Sequence, residues 1–111
     1  MSKVFIIPFH VKALKDSIMP QGLGGAYVSC FVKSESYVDA TERALKKLAE
    51  DGLHPEEILQ PINELESSSW EEYLKESWSD YIDNFPNQEE FEQAIEMNQI
   101  VYSPFASYDP Q

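Results

Sequence analysis

Cysteine is all but absent from this sequence; Cys30 is the only one. A single thiol excludes an internal disulfide and the Cys-rich spacings that hold structural zinc. It suits a reducing compartment. Histidine is scarce as well, with only His10 and His54. No apolar run approaches the roughly 20 residues needed to span a bilayer. The opening stretch from Met1 to His10 is too short and too interrupted for the apolar core of a secretory signal, and no small-residue cleavage site follows it. The expectation is a soluble cytoplasmic protein.

Positive charge is the other shortage, and it is unevenly spread. Between Glu50 and Glu96 fifteen carboxylates face one cation, Lys75. The residues up to Leu48 sum to +3 and those from Ala49 onward to −15, for a net charge of −12. Anionic membranes and nucleic-acid backbones repel such a surface, so direct binding to either is not expected. A disordered acidic tail is excluded by composition. At 42% hydrophobic and 13% aromatic, the chain has enough apolar area to offset the entropy of ordering. Its 111 residues fit one domain, residues 1–111, with a modest core.

Pattern and punctuation then set the elements. Val4–Val11 is an apolar, β-branched and aromatic run, a first strand. Pro8 lacks an N–H and predicts an edge or a bulge there. A long connection follows, closing on Gly22, Gly24 and Gly25. The second strand, Ala26–Lys33, is apolar on both faces and therefore predicted to be central. Ser36 caps a helix whose buried stripe is read as Val38, Thr41, Leu45 and Leu48, with Ala44 beside it, and Gly52 stops it. Glu57–Leu65 forms a third strand, irregular at Pro61. Ser69-Trp-Glu-Glu72 matches a capping box and opens a helix to Phe85, with Trp70, Leu74, Trp78, Tyr81 and Phe85 on its inner face. Asn87-Gln-Glu-Glu90 opens a shorter helix with Phe91, Ala94 and Ile95 inward and Asn98 closing it. Gln99–Phe105 is the last strand, and the tail from Ala106 reads as loose.

The order is ββαβααβ, with two connections long enough for right-handed crossovers. It predicts an α+β two-layer sandwich: a four-stranded, mainly antiparallel or mixed sheet with helices on one face. The layout is ferredoxin-like, although the order differs from the βαββαβ repeat.

Candidate sites compete with plainer readings. The Gly22-Leu-Gly24-Gly25 run precedes a strand, whereas a phosphate loop follows one and opens a helix. His54-Pro-Glu56-Glu57 lacks a distant ligand, so no metal is expected. Cys30 reads as a buried, inert thiol. Adjacent carboxylates such as Glu71 and Glu72 diverge by about 100° on a helix and do not converge on one substrate. No catalytic residue, no enzymatic activity and no cofactor is predicted. The acids themselves read in part as a solvated surface. Their one-sidedness asks for more, because fifteen acids against one base repel one another and an opposing basic surface relieves that. The predicted partner-binding face is the exposed side of the Ser69–Phe85 helix: Glu71, Glu72, Tyr73, Glu76, Asp80 and Asp83. Tyr102, Phe105 and Tyr108 could extend it.

The functional expectation is a small binding protein for a basic protein partner, best framed as a bacterial-type immunity or inhibitor protein that occludes a toxin such as a nuclease. The alternatives are a nucleic-acid mimic that blocks a DNA-binding or nuclease effector, and a structural or adaptor subunit, including a homodimer through the sheet edges.

Overall fold

The computed structural model describes residues 3–13, 25–59 and 62–108. The glycine-rich connection at Gly22–Gly24, Pro61 and the last three residues lie outside these.

Two long strands form the middle of the sheet. β1 (Lys3–Ala13) and β2 (Gly25–Lys33) pair antiparallel from Val4↔Lys33 to Val11↔Ala26. Both alternate apolar residues toward two faces, and both faces are buried. Phe5, Ile7, Phe9, Val11, Val28, Cys30 and Val32 point into one core. Val4, Ile6 and Phe31 point into the other.

Each edge of the sheet is one strand interrupted once. β3 (Leu53–Ile58) pairs with the distal part of β1, and β4 (Asn63–Glu66) with Lys3–Ile6. On the far side β5 (Val101–Tyr102) and β6 (Ala106–Tyr108) pair with β2. If each interrupted edge is counted once, the expected ββαβααβ order is recovered. The difference is that six strands are found among the described residues, four of them short edge segments, where four strands were predicted. The predicted third strand, Glu57–Leu65, straddles the first interruption, and the supposedly loose tail contains β6. Every ladder is antiparallel.

The interruption explains Pro8. The residue sits in a central strand, not at an edge, and the irregularity in the β1–β3 register falls between His10 and Val11. The carbonyl of Pro8 accepts from the Leu59 N–H at 2.8 Å, so its nitrogen faces the same flank. On that flank the pairing with β3 ends at Phe9 and that with β4 begins at Ile6, so none of the ladder bonds found among the described residues needs the missing N–H. At the other edge Ser103 bridges the gap. Its N–H donates to the Ser29 carbonyl at 2.9 Å, and its Oγ accepts from the Ser29 N–H at 2.8 Å.

The helices cover both faces, where one had been expected. α1 (Tyr37–Glu50) lies over the Cys30 face through Ala40, Ala44 and Leu48. These recur at i, i+4 and i+8, and the small alanines permit close approach to the sheet. Val38 is exposed and Thr41 donates to the Tyr37 carbonyl, so the inward stripe is rotated from the one predicted. Ser36 caps α1, accepting from the Asp39 N–H, and Gly52 takes φ 74° just past its end. β2 and β3 run parallel to one another across β1, with α1 as their crossover. The second predicted crossover is different. It joins opposite edges that run in opposite directions, through α2 (Trp70–Ser77) and α3 (Gln88–Glu96), which cover the Phe31 face.

Candidate functional site

The acidic layer is held down by aromatic packing on Phe31. Trp70 stacks on Phe91 with ring centres 3.8 Å apart, and both meet Phe31 edge-on. Phe85 completes the cluster, 5.6 Å from Trp70. An unbroken helix would set residues 70 and 85 about 22 Å apart at 1.5 Å per residue. The predicted single helix therefore cannot form. The chain leaves the α conformation at Trp78 (φ −135°, ψ 36°) and turns back through a 3₁₀ segment, Ser79–Asn84. Serines on both sides of Trp78 favour the break, since their hydroxyls compete for the backbone. Trp78 is half-buried against Phe85 and donates to the Tyr73 Oη at 3.0 Å. Tyr81, predicted inward, is 51% exposed.

The expected Ser69 cap is missing as well. A 3₁₀ turn, Ser67–Ser69, precedes α2, and Ser69 sits at φ −98°, ψ 13°, from which its hydroxyl makes no capping bond. Gln88 of α3 serves instead. Its Oε1 accepts from the Glu71 N–H at 3.1 Å, and its Nε2 donates to the Ser67 carbonyl at 2.7 Å. α3 carries its own reciprocal capping box, Asn87 with Glu90, as predicted. It closes on Asn98 at φ 60°.

Glu71, Glu72, Glu76, Asp80 and Asp83 are all exposed, but they do not share one helix face. Glu71, Glu72 and Glu76 belong to α2, while Asp80 and Asp83 belong to the returning 3₁₀ segment. The fold regroups them. A cleft of about 330 Å³ brings Glu71 and Asp83 beside Glu90, over Leu74, Ile82, Phe85 and Pro86. A second joins Glu71 and Glu72 to Glu92 and Gln88, and Lys75 lines both clefts beside these acids. Glu76 and Asp80 line neither cleft. Glu90, read from the sequence only as a capping residue, and Glu92 are not part of the predicted partner face, because their proximity to α2 depends on how α3 docks.

Tyr73, expected to be exposed, is a packing residue. Its ring lies 5.9 Å from Phe31 and 6.1 Å from Trp70. Burial pushes its hydroxyl pKa up, and the Trp78 hydrogen bond partly opposes this. Tyr102 cannot extend the acidic face, because it pairs with Cys30 on the α1 side and donates to Asp51 at 2.7 Å.

The ion pairs are formed elsewhere. Lys3–Glu64, Lys12–Glu56, Arg43–Asp39 and Lys47–Asp51 are within 4 Å. Among the described residues, none of these pairs involves a carboxylate from Trp70 to Glu96. The remaining candidates disperse. Cys30 is buried on one face of the sheet while His10, on the other, stacks on Tyr27 at 4.9 Å. His54 is exposed on β3. No group of three or more side chains suited to a metal is found among the described residues.

Fold and site together define an α+β protein with an antiparallel sheet between two helical layers, one of them unilaterally acidic. No protein-family model, curated protein or solved structure matches the chain. No helix among the described residues is long and apolar enough to cross a membrane.

Proposed function

We propose that this protein binds and occludes a basic protein, in the most specific form as a cytoplasmic immunity protein for a nuclease toxin. One observation carries the reading. Nine carboxylates and one lysine lie between Trp70 and Glu96, gathered on one layer, and none of the carboxylates is engaged in the ion pairs found among the described residues. Such a layer costs self-repulsion that a complementary surface removes. Surfaces that grip nucleic acid are rich in Lys and Arg, so a nuclease supplies that complement, with fast, salt-sensitive association. The same gathering on one layer supports a second reading, in which the carboxylates stand in for phosphates before a DNA-binding effector.

The test is a quadruple neutralisation, Glu71→Gln, Glu72→Gln, Asp83→Asn and Glu90→Gln, compared with the wild type against the basic product of an adjacent reading frame. The wild type is expected to bind, to be released by about 0.5 M salt as screening shortens to a few ångström, and to suppress nuclease activity. The variant should lose at least about tenfold in affinity, mostly in association rate. A folded variant with unchanged affinity removes the proposal. Competition by duplex DNA for the same face of the partner, without nuclease inhibition, moves it to the mimic.

A further inference from the structure

Among the described residues, the acidic helical layer covers one end of its face of the sheet. Trp70, Leu74, Phe91 and Ile95 close over Val4, Ile6 and Phe31. Farther along the same face, a groove of about 250 Å³ opens. Pro8 and Ser29 line it from the sheet, Trp78 and Tyr81 from the returning 3₁₀ segment, and Pro104 and Phe105 from the break in the edge strand. Among the described residues, no charged side chain lines it. A cavity of about 150 Å³ accepts a benzene ring, so the groove has room for one large apolar side chain.

The geometry points to this groove as the socket for an apolar side chain, Phe or Leu in kind, presented by a basic protein beside its cationic residues. This rests on the reading of the acidic layer given above and adds the contact that holds the partner once charge has steered it in. The occupant follows from charge. The segment that supplies Tyr81 also carries Asp80 and Asp83, both exposed, so the approach is anionic. A second copy of this chain, at a net charge of −12, is repelled from that approach, whereas a cationic partner is drawn to it. Trp and Tyr around an apolar depression, with charge at the rim, are the composition of a binding hot spot.

Two synthetic peptides test it: a Lys-Gly repeat, and the same repeat with one central Phe. Binding is followed at low salt by titration calorimetry and by tryptophan emission, of which the half-buried Trp78 rather than the buried Trp70 is the part open to change. The Phe peptide should bind about tenfold tighter and shift the emission to the blue. Tyr81→Ser, which opens the groove, and Ala106→Phe, at a further lining position where the larger ring fills it, should each abolish that gain and leave the plain repeat unaffected. Equal affinity of the two peptides overturns the socket while leaving the acidic layer as a cation-binding face. Failure of both to bind overturns the acidic-layer reading, and the socket with it. Concentration-dependent dimerisation of the unliganded protein, lost in Tyr81→Ser, assigns the groove to a second copy and overturns the proposal.

Discussion

Cys30 and Tyr102 face each other across the β2–β5 ladder, with Asp51 at the end of α1 above them. Burial, and then the charge of Asp51, pushes the Cys30 thiol far above its ordinary 9.0. Burial, and then the hydrogen bond to Asp51, raises Tyr102 far above 10.0. Both groups hold their protons more tightly folded than unfolded. The stability they contribute is therefore complete below about pH 9 and is lost as pH rises past it. Thermal unfolding between pH 7 and 11 should show a melting temperature that falls increasingly steeply above about pH 9. Tyr102→Phe should cost about 1–2 kcal/mol near neutrality, through the lost bond to Asp51, and should flatten the most alkaline part of the curve. A wild-type profile level to pH 11 would contradict this. The burial of Cys30 was legible from strand alternation alone. Its partner was not, because the contact depends on which edge strand lies beside β2.

The two capping boxes show what local sequence can decide at the scale of an element. Asn87 and Glu90 are reciprocal, as read, because every atom involved lies within four residues and Asn87 is extended (φ −76°, ψ −179°). Ser69 carries an equally good motif and makes no cap, since the preceding 3₁₀ turn takes it out of the extended conformation. The start of α2 is secured from another helix. Gln88→Ala is thus expected to destabilise the protein by about 1–2 kcal/mol, through loss of the Glu71 and Ser67 bonds, whereas Ser69→Ala should cost under about 0.5 kcal/mol. Urea unfolding of the two variants checks the order, and the reverse order would refute the assignment. The same reasoning separates the two halves of the predicted Ser69–Phe85 helix. Helical spacing placed Trp70 and Leu74 inward correctly, whereas Phe85, beyond the break, is inward because it packs on Trp70 and Phe31. The same spacing misplaced Tyr81, because the break at Trp78 resets the phase.

At the scale of the molecule, acids gathered on one layer oppose folding as well as steer partners. With a net charge of −12, raising salt should stabilise the isolated protein. The melting temperature is expected to rise by several degrees between about 20 mM and 500 mM NaCl, with potassium chloride giving the same result. The quadruple neutralised variant should start higher and respond less. A melting temperature that falls with salt would mean that ion pairs such as Lys3–Glu64 and Lys47–Asp51 outweigh the repulsion, contrary to the weak worth of exposed pairs.

What the sequence determined by itself was whatever depends on neighbours along the chain: the two-faced apolar pattern of β1 and β2, the Ser36, Gly52 and Asn87 punctuation, the order of elements, and the gathering of acids after Glu50. Tertiary structure alone decided that the helices divide between two faces and that Pro8 sits harmlessly beside an interruption. It also set Glu71 with Asp83 and Glu90, and shaped the groove beside Trp78 and Tyr81. The physical reason is common to these. Hydrogen bonding and periodicity act over a few residues, but Phe31 draws Trp70, Phe85 and Phe91 onto one spot from separate segments. That packing bends the backbone and assigns each carboxylate its neighbours.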